Sequence, residues 1–195
     1  MAASETLRLF FAVPLPEELR EVVRGLQQTL SEACSSGPRV RWVEPENLHL
    51  TLKFIGDTAA EDVDRVVEIA RQAAKECSPA SVQVSGVGRF PPRGAPRVIW
   101  VGLSEECTEL TELAGRLDRA LQAEGVAEPE RHPFTAHFTI GRVKGHGRAV
   151  ALSETIERMS EEPVGKMRID EFCLISSDLT PHGPIYTERT RFNLA

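Results

Sequence analysis

The segments HLTL (49–52) and HFTI (137–140) decide how this chain folds, because both read histidine, apolar residue, threonine, apolar residue. The two copies begin 88 positions apart. Side chains alternate between the two faces of an extended strand, so the histidine and threonine of each copy share one face. Each segment is therefore predicted to be a strand that buries its apolar face and presents an imidazole and a hydroxyl to a groove.

The sequence around the two segments repeats as well. Apolar residues alternate where strands are expected and recur at helical spacing where helices are expected. Thr58, with Glu61 three residues later, predicts a capping box at the start of a helix. The first set of elements is predicted at 6–13 (strand), 16–34 (helix), 39–43 and 47–55 (strands), 59–76 (helix) and 81–90 (strand). The second set is predicted at 97–103 (strand), 105–124 (helix), 136–142 (strand), 149–161 (helix), 167–176 and 184–194 (strands).

This repetition predicts the fold class. We expect an α+β protein with two pseudo-symmetric lobes, each an antiparallel sheet backed by helices, and a central active-site groove that carries both motifs. The sequence repeats divide the chain at about 1–95 and 96–195. With no long linker or low-complexity segment between them, the lobes are expected to form a single domain.

Composition limits the classes of function. Apolar residues make up 41% of the 195 residues and charged residues 27%, as in ordinary globular proteins. The net charge of −6 argues against broad binding to nucleic acid, although it leaves room for a local basic groove. Neither a signal peptide nor an apolar run long enough for a membrane is apparent. The four cysteines form no CxxC pair, so we expect a cytoplasmic protein with reduced thiols and no membrane association. No protein partner is evident.

Two imidazoles and two hydroxyls suit acid–base chemistry on a phosphate. Imidazole titrates near neutral pH, so one histidine can accept a proton from the attacking oxygen while the other donates one to the leaving oxygen. Thr51 and Thr139 can each donate a hydrogen bond to a non-bridging phosphate oxygen, where charge accumulates. Zinc binding is the alternative for His49 and His137, but neither motif supplies a third or fourth ligand at a suitable spacing. We therefore expect no metal.

The motifs and their surroundings resemble a known family. The segments that carry the resemblance are PENLHLTLKFIGD (45–57), PRVIWVGL (96–103), PFTAHFTIGR (133–142) and SSDLTPHGPIYTERTRFNL (176–194). They are similar to the 2H phosphoesterase superfamily, and within it to the RNA 2′,3′-cyclic phosphodiesterases, also called 2′-5′ RNA ligases. The resemblance implies hydrolysis of 2′,3′-cyclic phosphate ends of RNA to 2′-phosphates. It also implies reversible, ATP-independent 2′-5′ joining, without metal or cofactor. It further implies that His49 is the proton donor and His137 the proton acceptor.

Charged residues near the motifs are candidates for substrate binding. Arg142 lies five positions after its motif histidine, as Phe54 does in the first copy, and strict alternation places both on the core face. Gly141 can turn the chain and bring Arg142 into the groove, and we predict that Arg142 binds phosphate. Lys53 shares the face of His49 by parity and is predicted to bind substrate, as is Arg131, which adds positive charge before the second motif.

Three aromatic residues are candidates for contact with a nucleobase. Trp42 and Phe90 lie beside loops and can form an aromatic wall, and Phe54 can stack on a base. Core packing is the alternative for Trp42 and Phe54.

Two rival functions remain open. A related enzyme can act on a small cyclic nucleotide instead of RNA, and a non-catalytic module can use the groove to bind a mononucleotide. The intact pair of histidines argues against the module, since binding alone does not require a matched acid and base.

Overall fold

Helices and strands follow the predicted order in the computed structural model, which describes residues 6–34, 37–145, 149–181 and 183–195. The helices are α1 (Glu17–Ala33), α2 (Val63–Lys75), α3 (Thr108–Ala123) and α4 (Val150–Arg158). The strands are β1 (Thr6–Pro14), β2 (Arg39–Trp42), β3 (His49–Ala59), β4 (Ala80–Phe90), β5 (Val98–Leu103), β6 (Phe138–Lys144), β7 (Pro163–Ile169), β8 (Glu171–Thr180) and β9 (Gly183–Asn193).

The predicted capping box at Thr58 is wrong. Pairing of Ala59 with Thr6 extends β3 beyond the predicted end of the strand. Thr58 is consequently buried inside the strand, and its Oγ1 donates a 3.2 Å hydrogen bond to the carbonyl of Gly56. A short 3-10 helix follows at Ala60–Asp62, and α2 begins without a side-chain cap.

The single strand predicted at 167–176 is also wrong, because two strands occupy this segment. Ile169, at the end of β7, pairs with Ala80 of β4, whereas Glu171, at the start of β8, pairs with Asn193 of β9. The chain therefore passes from the edge strand β7 to β8, which lies between β1 and β9 near the opposite edge, within two residues.

All the paired strands are antiparallel and form one sheet in the order β7-β4-β5-β6-β3-β1-β8-β9, with β2 beside β6. The α+β fold with an antiparallel sheet is confirmed. The two motif strands meet at the centre, where Leu50 pairs with Phe138. Strand β1 pairs with β8, and β4 with β5, across the boundary at residue 95, so each half of the sheet contains strands from both sequence repeats. The division at that residue stays a prediction about the repeats.

Helices cover one face of the sheet and bury its apolar side chains. Helix α3 packs on β3 and against α2, and α1 packs on β6 and β7 and against α4. Leu50 and Phe138 are fully buried at the central seam. Burying a large apolar side chain contributes about 1.5–3 kcal/mol, so the apolar half of each motif anchors its strand in the core.

None of the helices in the described part of the chain is long and apolar enough to cross a membrane. The cysteines Cys34, Cys77, Cys107 and Cys173 are free thiols. Burial raises the pKa of each, and that of Cys173 reaches about 12. These thiols are therefore protonated near neutral pH and unreactive as nucleophiles.

Candidate active site

Each motif strand carries a β-bulge at the last residue of its motif. Leu52 is the extra residue of β3 opposite β1, and Ile140 is the extra residue of β6 opposite β5. A bulge shifts the alternation of side chains by one position. Lys53 and Phe54 in β3, up to a second register shift at Ile55, and the residues after Ile140 in β6 therefore point to the faces opposite to those that strict alternation predicts.

The bulges explain why Phe54 and Arg142 leave the core face. Phe54 is 41% exposed, and Arg142 is exposed and lines the groove. Arg142 thus reaches the groove as predicted, but the bulge is responsible and not a turn at Gly141. Gly141 does not take a positive φ, and it is buried. A Cβ added at this position would lie 2.9 Å from the ring of Trp42.

The predicted role of Lys53 in substrate binding is corrected by its position. After the bulge its side chain points to the helix-covered face and is only 2% exposed. Its Nζ lies 2.7 Å from Oδ1 of Asp118 and 3.3 Å from Oε1 of Glu130, and donates to the carbonyl of Glu128 at 2.7 Å. Lys53 therefore ties β3 to α3 and to the segment that precedes the second motif.

Both motif histidines have the same hydrogen bond to the backbone. Nδ1 of His49 lies 2.7 Å from the carbonyl of Asn47, and Nδ1 of His137 lies 2.7 Å from the carbonyl of Thr135. A carbonyl oxygen only accepts, so Nδ1 of each ring carries the proton and donates it. Nε2 is therefore the nitrogen that gains or loses a proton. The hydrogen bond at Nδ1 fixes the orientation of the ring and thus the direction in which Nε2 points.

The antiparallel register places each histidine beside the threonine of the other motif. With Leu50 opposite Phe138, His49 lies next to Thr139, and Thr51 lies next to His137, the residue immediately before β6. Cross-strand neighbours have Cβ atoms about 4.5–5.5 Å apart. Two acid–base groups and two hydroxyls therefore share a small area of the groove.

The environment lowers the pKa of both imidazoles. For His49, burial is the largest cause, and the positive charges of Arg142 and His137 add to it against the opposing effect of the Asn47 carbonyl. For His137, burial again lowers the pKa most, the Thr135 carbonyl opposes it, and Arg142 adds to the lowering. One guanidinium thus acts on both histidines, and the two rings lie within electrostatic reach of each other.

Aromatic rings hold the two imidazoles in place. The His49 ring lies 5.0 Å from that of Phe10 and 5.2 Å from that of Tyr186, which meets it nearly edge-on at 87°. The His137 ring lies 5.1 Å from Phe90, also nearly perpendicular at 84°. These contacts are at the distances typical of favourable ring pairs and restrict rotation of the imidazoles.

A cavity of about 220 Å³ lies between the motif strands and the β8–β9 turn. The His137 side chain does not line it but lies at its margin beside Phe90 and Trp100. The lining residues are Arg41, Trp42, Val43, Glu44, Asn47, His49, Thr51, Thr139, Arg142, Lys144, Gly183, Pro184 and Tyr186. A larger cavity of about 450 Å³, at Ser81–Gln83 and the start of α3, contains no motif residue.

The structure places the other predicted residues as follows. Trp42 lines the cavity and also packs on the core, and Phe90 contacts the second histidine. Arg131 is exposed in the segment before β6 and is not among the lining residues.

Sequence reasoning missed several lining residues, among them Arg41, Lys144 and Tyr186. Two sequence signals were available: Tyr186 is the only tyrosine of the chain, and basic and apolar residues alternate at 39–42. The sequence did not reveal which strand pairs with each of these segments. That pairing determines which residues lie beside the exposed side chains.

Comparison with known protein families gives a match that occurs twice along the chain. The sequence model of the LigT-like phosphoesterases matches residues 13–100 and again residues 101–186. The chain belongs to the LigT-like phosphoesterase family.

A relative from Methanothermobacter thermautotrophicus, named RNA 2′,3′-cyclic phosphodiesterase, is 39% identical over 96% of this chain and 99% of its own length. Among solved structures, the protein TT0787 of Thermus thermophilus has a TM-score of 0.79 and 29% identity, covering 96% of this chain and 97% of its own. E. coli LigT in complex with 3′-AMP has a TM-score of 0.75 and 26% identity, covering 97% and 99%.

Proposed function

We propose that this LigT-like phosphoesterase hydrolyses 2′,3′-cyclic phosphate ends of RNA to 2′-phosphate ends. One observation carries the proposal: the pairing of Leu50 with Phe138 brings the two motif histidines and threonines together, and Arg142 lines the same groove as an anion-binding group. The name of the M. thermautotrophicus relative and the binding of 3′-AMP by E. coli LigT support the same substrate class.

In the proposed reaction, Nε2 of neutral His137 accepts a proton from water as the water oxygen bonds to phosphorus. The bond between phosphorus and O3′ breaks, and Nε2 of protonated His49 donates its proton to O3′. The phosphate remains on O2′. Family resemblance supports this assignment of donor and acceptor, since the backbone hydrogen bonds of the two rings are alike.

The two threonines and Arg142 stabilise the negative charge that develops on the phosphate. Thr51 and Thr139 line the cavity with Arg142 and can donate to non-bridging oxygens. A guanidinium presents paired donors that match two phosphate oxygens at once. Because these groups are held by strands anchored in the core, they require little reorganisation during the reaction.

Phe54 is the proposed platform for the terminal nucleobase. Its ring is 41% exposed, and Cζ of Arg8 lies 4.8 Å from the ring centroid. Arg8 thus fixes the ring from one side by a cation–π contact, while the rest of the surface can stack on a base. Trp42 lines the cavity and Phe90 contacts the His137 ring, whereas Phe54 is not among the lining residues.

Joining of RNA ends is a second proposed use of the same groups. A 5′-hydroxyl takes the place of water at His137, attacks the cyclic phosphate and forms a 2′-5′ linkage as O3′ accepts the proton of His49. The cyclic phosphodiester is itself the activated group, so the step consumes no ATP. A small cyclic nucleotide is the second candidate substrate, because the cavity of about 220 Å³ holds little more than the reacting end.

The decisive experiment supplies an RNA with a 2′,3′-cyclic phosphate end and, separately, a cyclic mononucleotide, both in EDTA. The expected product is the 2′-phosphate, and His49→Ala and His137→Ala are each expected to lower kcat by about 10²–10⁴. His132→Ala, at an exposed histidine, is the matched control and should keep full activity. A 3′-phosphate product, or unchanged activity in both active-site variants, would refute the mechanism. Turnover of the mononucleotide alone would favour the small-substrate function.

A further inference from the structure

Four cations form two directly opposed pairs on β2 and β6. Arg41 lies opposite Arg142, and Arg39 lies opposite Lys144. All four residues are exposed, while Val40 and the other residues between them are partly or fully buried. We refer to Arg39, Arg41, Arg142 and Lys144 as the basic stripe.

The basic stripe opposes the stability of the strand pair that carries it. Like charges directly across two antiparallel strands are destabilising, and here two such pairs are adjacent. The chain has 29 acidic and only 23 basic residues, so a general excess of cations does not explain this cluster. Glu44 is the carboxylate among the residues lining the adjoining cavity. A bound polyanion would place opposite charge beside both pairs.

The basic stripe begins at the cavity, which Arg41, Arg142 and Lys144 line, and continues beyond it to Arg39. Arg142 and Arg41 line the cavity together with His49, and the Arg41 guanidinium reaches Gly183 on the opposite wall, where an added Cβ would overlap it. Arg41, Arg142 and Arg8 all act electrostatically on Tyr186: their charges lower its pKa against the larger raising effect of burial. The cations therefore converge on the cavity and do not spread into solvent independently.

The spacing along the basic stripe suits a strand of nucleic acid. Arg39 and Lys144 each lie two residues beyond the first pair, or about 7 Å along the strands. This is comparable to the distance between successive phosphates in an extended single strand. Backbone phosphates are commonly bound by such arginine and lysine side chains, which set the position of the strand without reading its sequence.

We propose that the basic stripe binds the phosphates that precede the terminal nucleotide, so that a polynucleotide end is preferred over a cyclic mononucleotide. The strand runs from the reacting phosphate at Arg142 along β2 and β6 towards Arg39 and Lys144. This inference rests on the proposed function, since it assigns the reacting phosphate to the cavity. The net charge of −6 argues against non-specific binding of nucleic acid over the rest of the surface.

The test compares kcat/KM for a hexanucleotide ending in a 2′,3′-cyclic phosphate with that for the corresponding cyclic mononucleotide. The double variant Arg39→Gln, Lys144→Gln is expected to lower the ratio of the two values about tenfold at low salt. Taking the ratio removes any general loss of activity. The control Arg71→Gln, Lys75→Gln makes the same change of charge on the exposed face of α2 and should leave the ratio unchanged.

Salt dependence gives a second measurement that does not need turnover. A fluorescent hexanucleotide ending in a 3′-phosphate is titrated by polarisation at several salt concentrations. Losing two phosphate contacts to a single strand should reduce the slope of log K against log salt by about 1.4. The control variant should keep the wild-type slope.

The outcomes separate the two proposals. Absence of turnover on both substrates, with the slope still reduced in the stripe variant, refutes the proposed function and supports the strand site. Equal salt slopes in wild type, stripe variant and control, with equal kcat/KM ratios where turnover is seen, refute the strand site. A ratio that falls as much in the α2 control would also refute it, because general charge would then be responsible.

Discussion

Replacing Lys53 by methionine is expected to destabilise the protein by about 2–3 kcal/mol. Its ammonium contacts the carbonyl of Glu128 and the carboxylates of Asp118 and Glu130, and the side chain is 2% exposed. Removing one partner of a buried ion pair typically costs about 3–5 kcal/mol. We take a smaller value because the Asp118 and Glu130 side chains are 23% and 48% exposed, and the Glu130 N–H still donates to Asp118 at 3.1 Å.

Chemical denaturation with an unchanged m-value measures the free energy of unfolding, and a thermal scan should show Tm lower by roughly 5–10 °C. Glu130→Gln is the matched control, because a half-exposed ion pair contributes less than about 1 kcal/mol. The double variant Lys53→Met, Asp118→Leu should recover part of the loss, since the less exposed of the two carboxylates that face Lys53 is then removed with it. Unchanged stability with a raised KM in Lys53→Met would refute the reasoning, as it would place the ammonium in the groove.

Three further substitutions test the geometry of the site. Arg142→Gln removes a positive charge that disfavours the protonated form of both motif histidines. An NMR titration should therefore show a higher pKa for each histidine than in wild type. A lower pKa for either one would contradict the electrostatic assignment. Gly141→Ala adds a Cβ 2.9 Å from the Trp42 ring and should cost about 1–3 kcal/mol in urea unfolding, whereas Gly25→Ala, in open space within α1, should be neutral or stabilising. Phe138→Ala empties a fully buried position at the central seam and should cost about 3–5 kcal/mol; a loss below about 1 kcal/mol would show that this seam is not part of the core.

The sequence by itself determined the order of elements and the composition of the motifs. His49, Thr51, His137 and Thr139 alternate with apolar residues over four positions, and alternation is a local property of a single strand. The repeat of the surrounding elements at a spacing of 88 positions indicated that the two motif strands are equivalent. The family followed from the same segments, and the family match over residues 13–100 and 101–186 agrees with it.

Only the tertiary structure determined which face of the sheet the side chains after each motif occupy. The bulges at Leu52 and Ile140 arise from the register between neighbouring strands, and they send Lys53 to the core and Arg142 to the groove. Register depends on pairing with strands that are distant in sequence. Counting the alternation of side chains along one strand therefore cannot reveal it. The basic stripe likewise exists only because β2 pairs with β6, about a hundred residues away. Pairing between strands so distant in sequence was not predictable from the local pattern of residues.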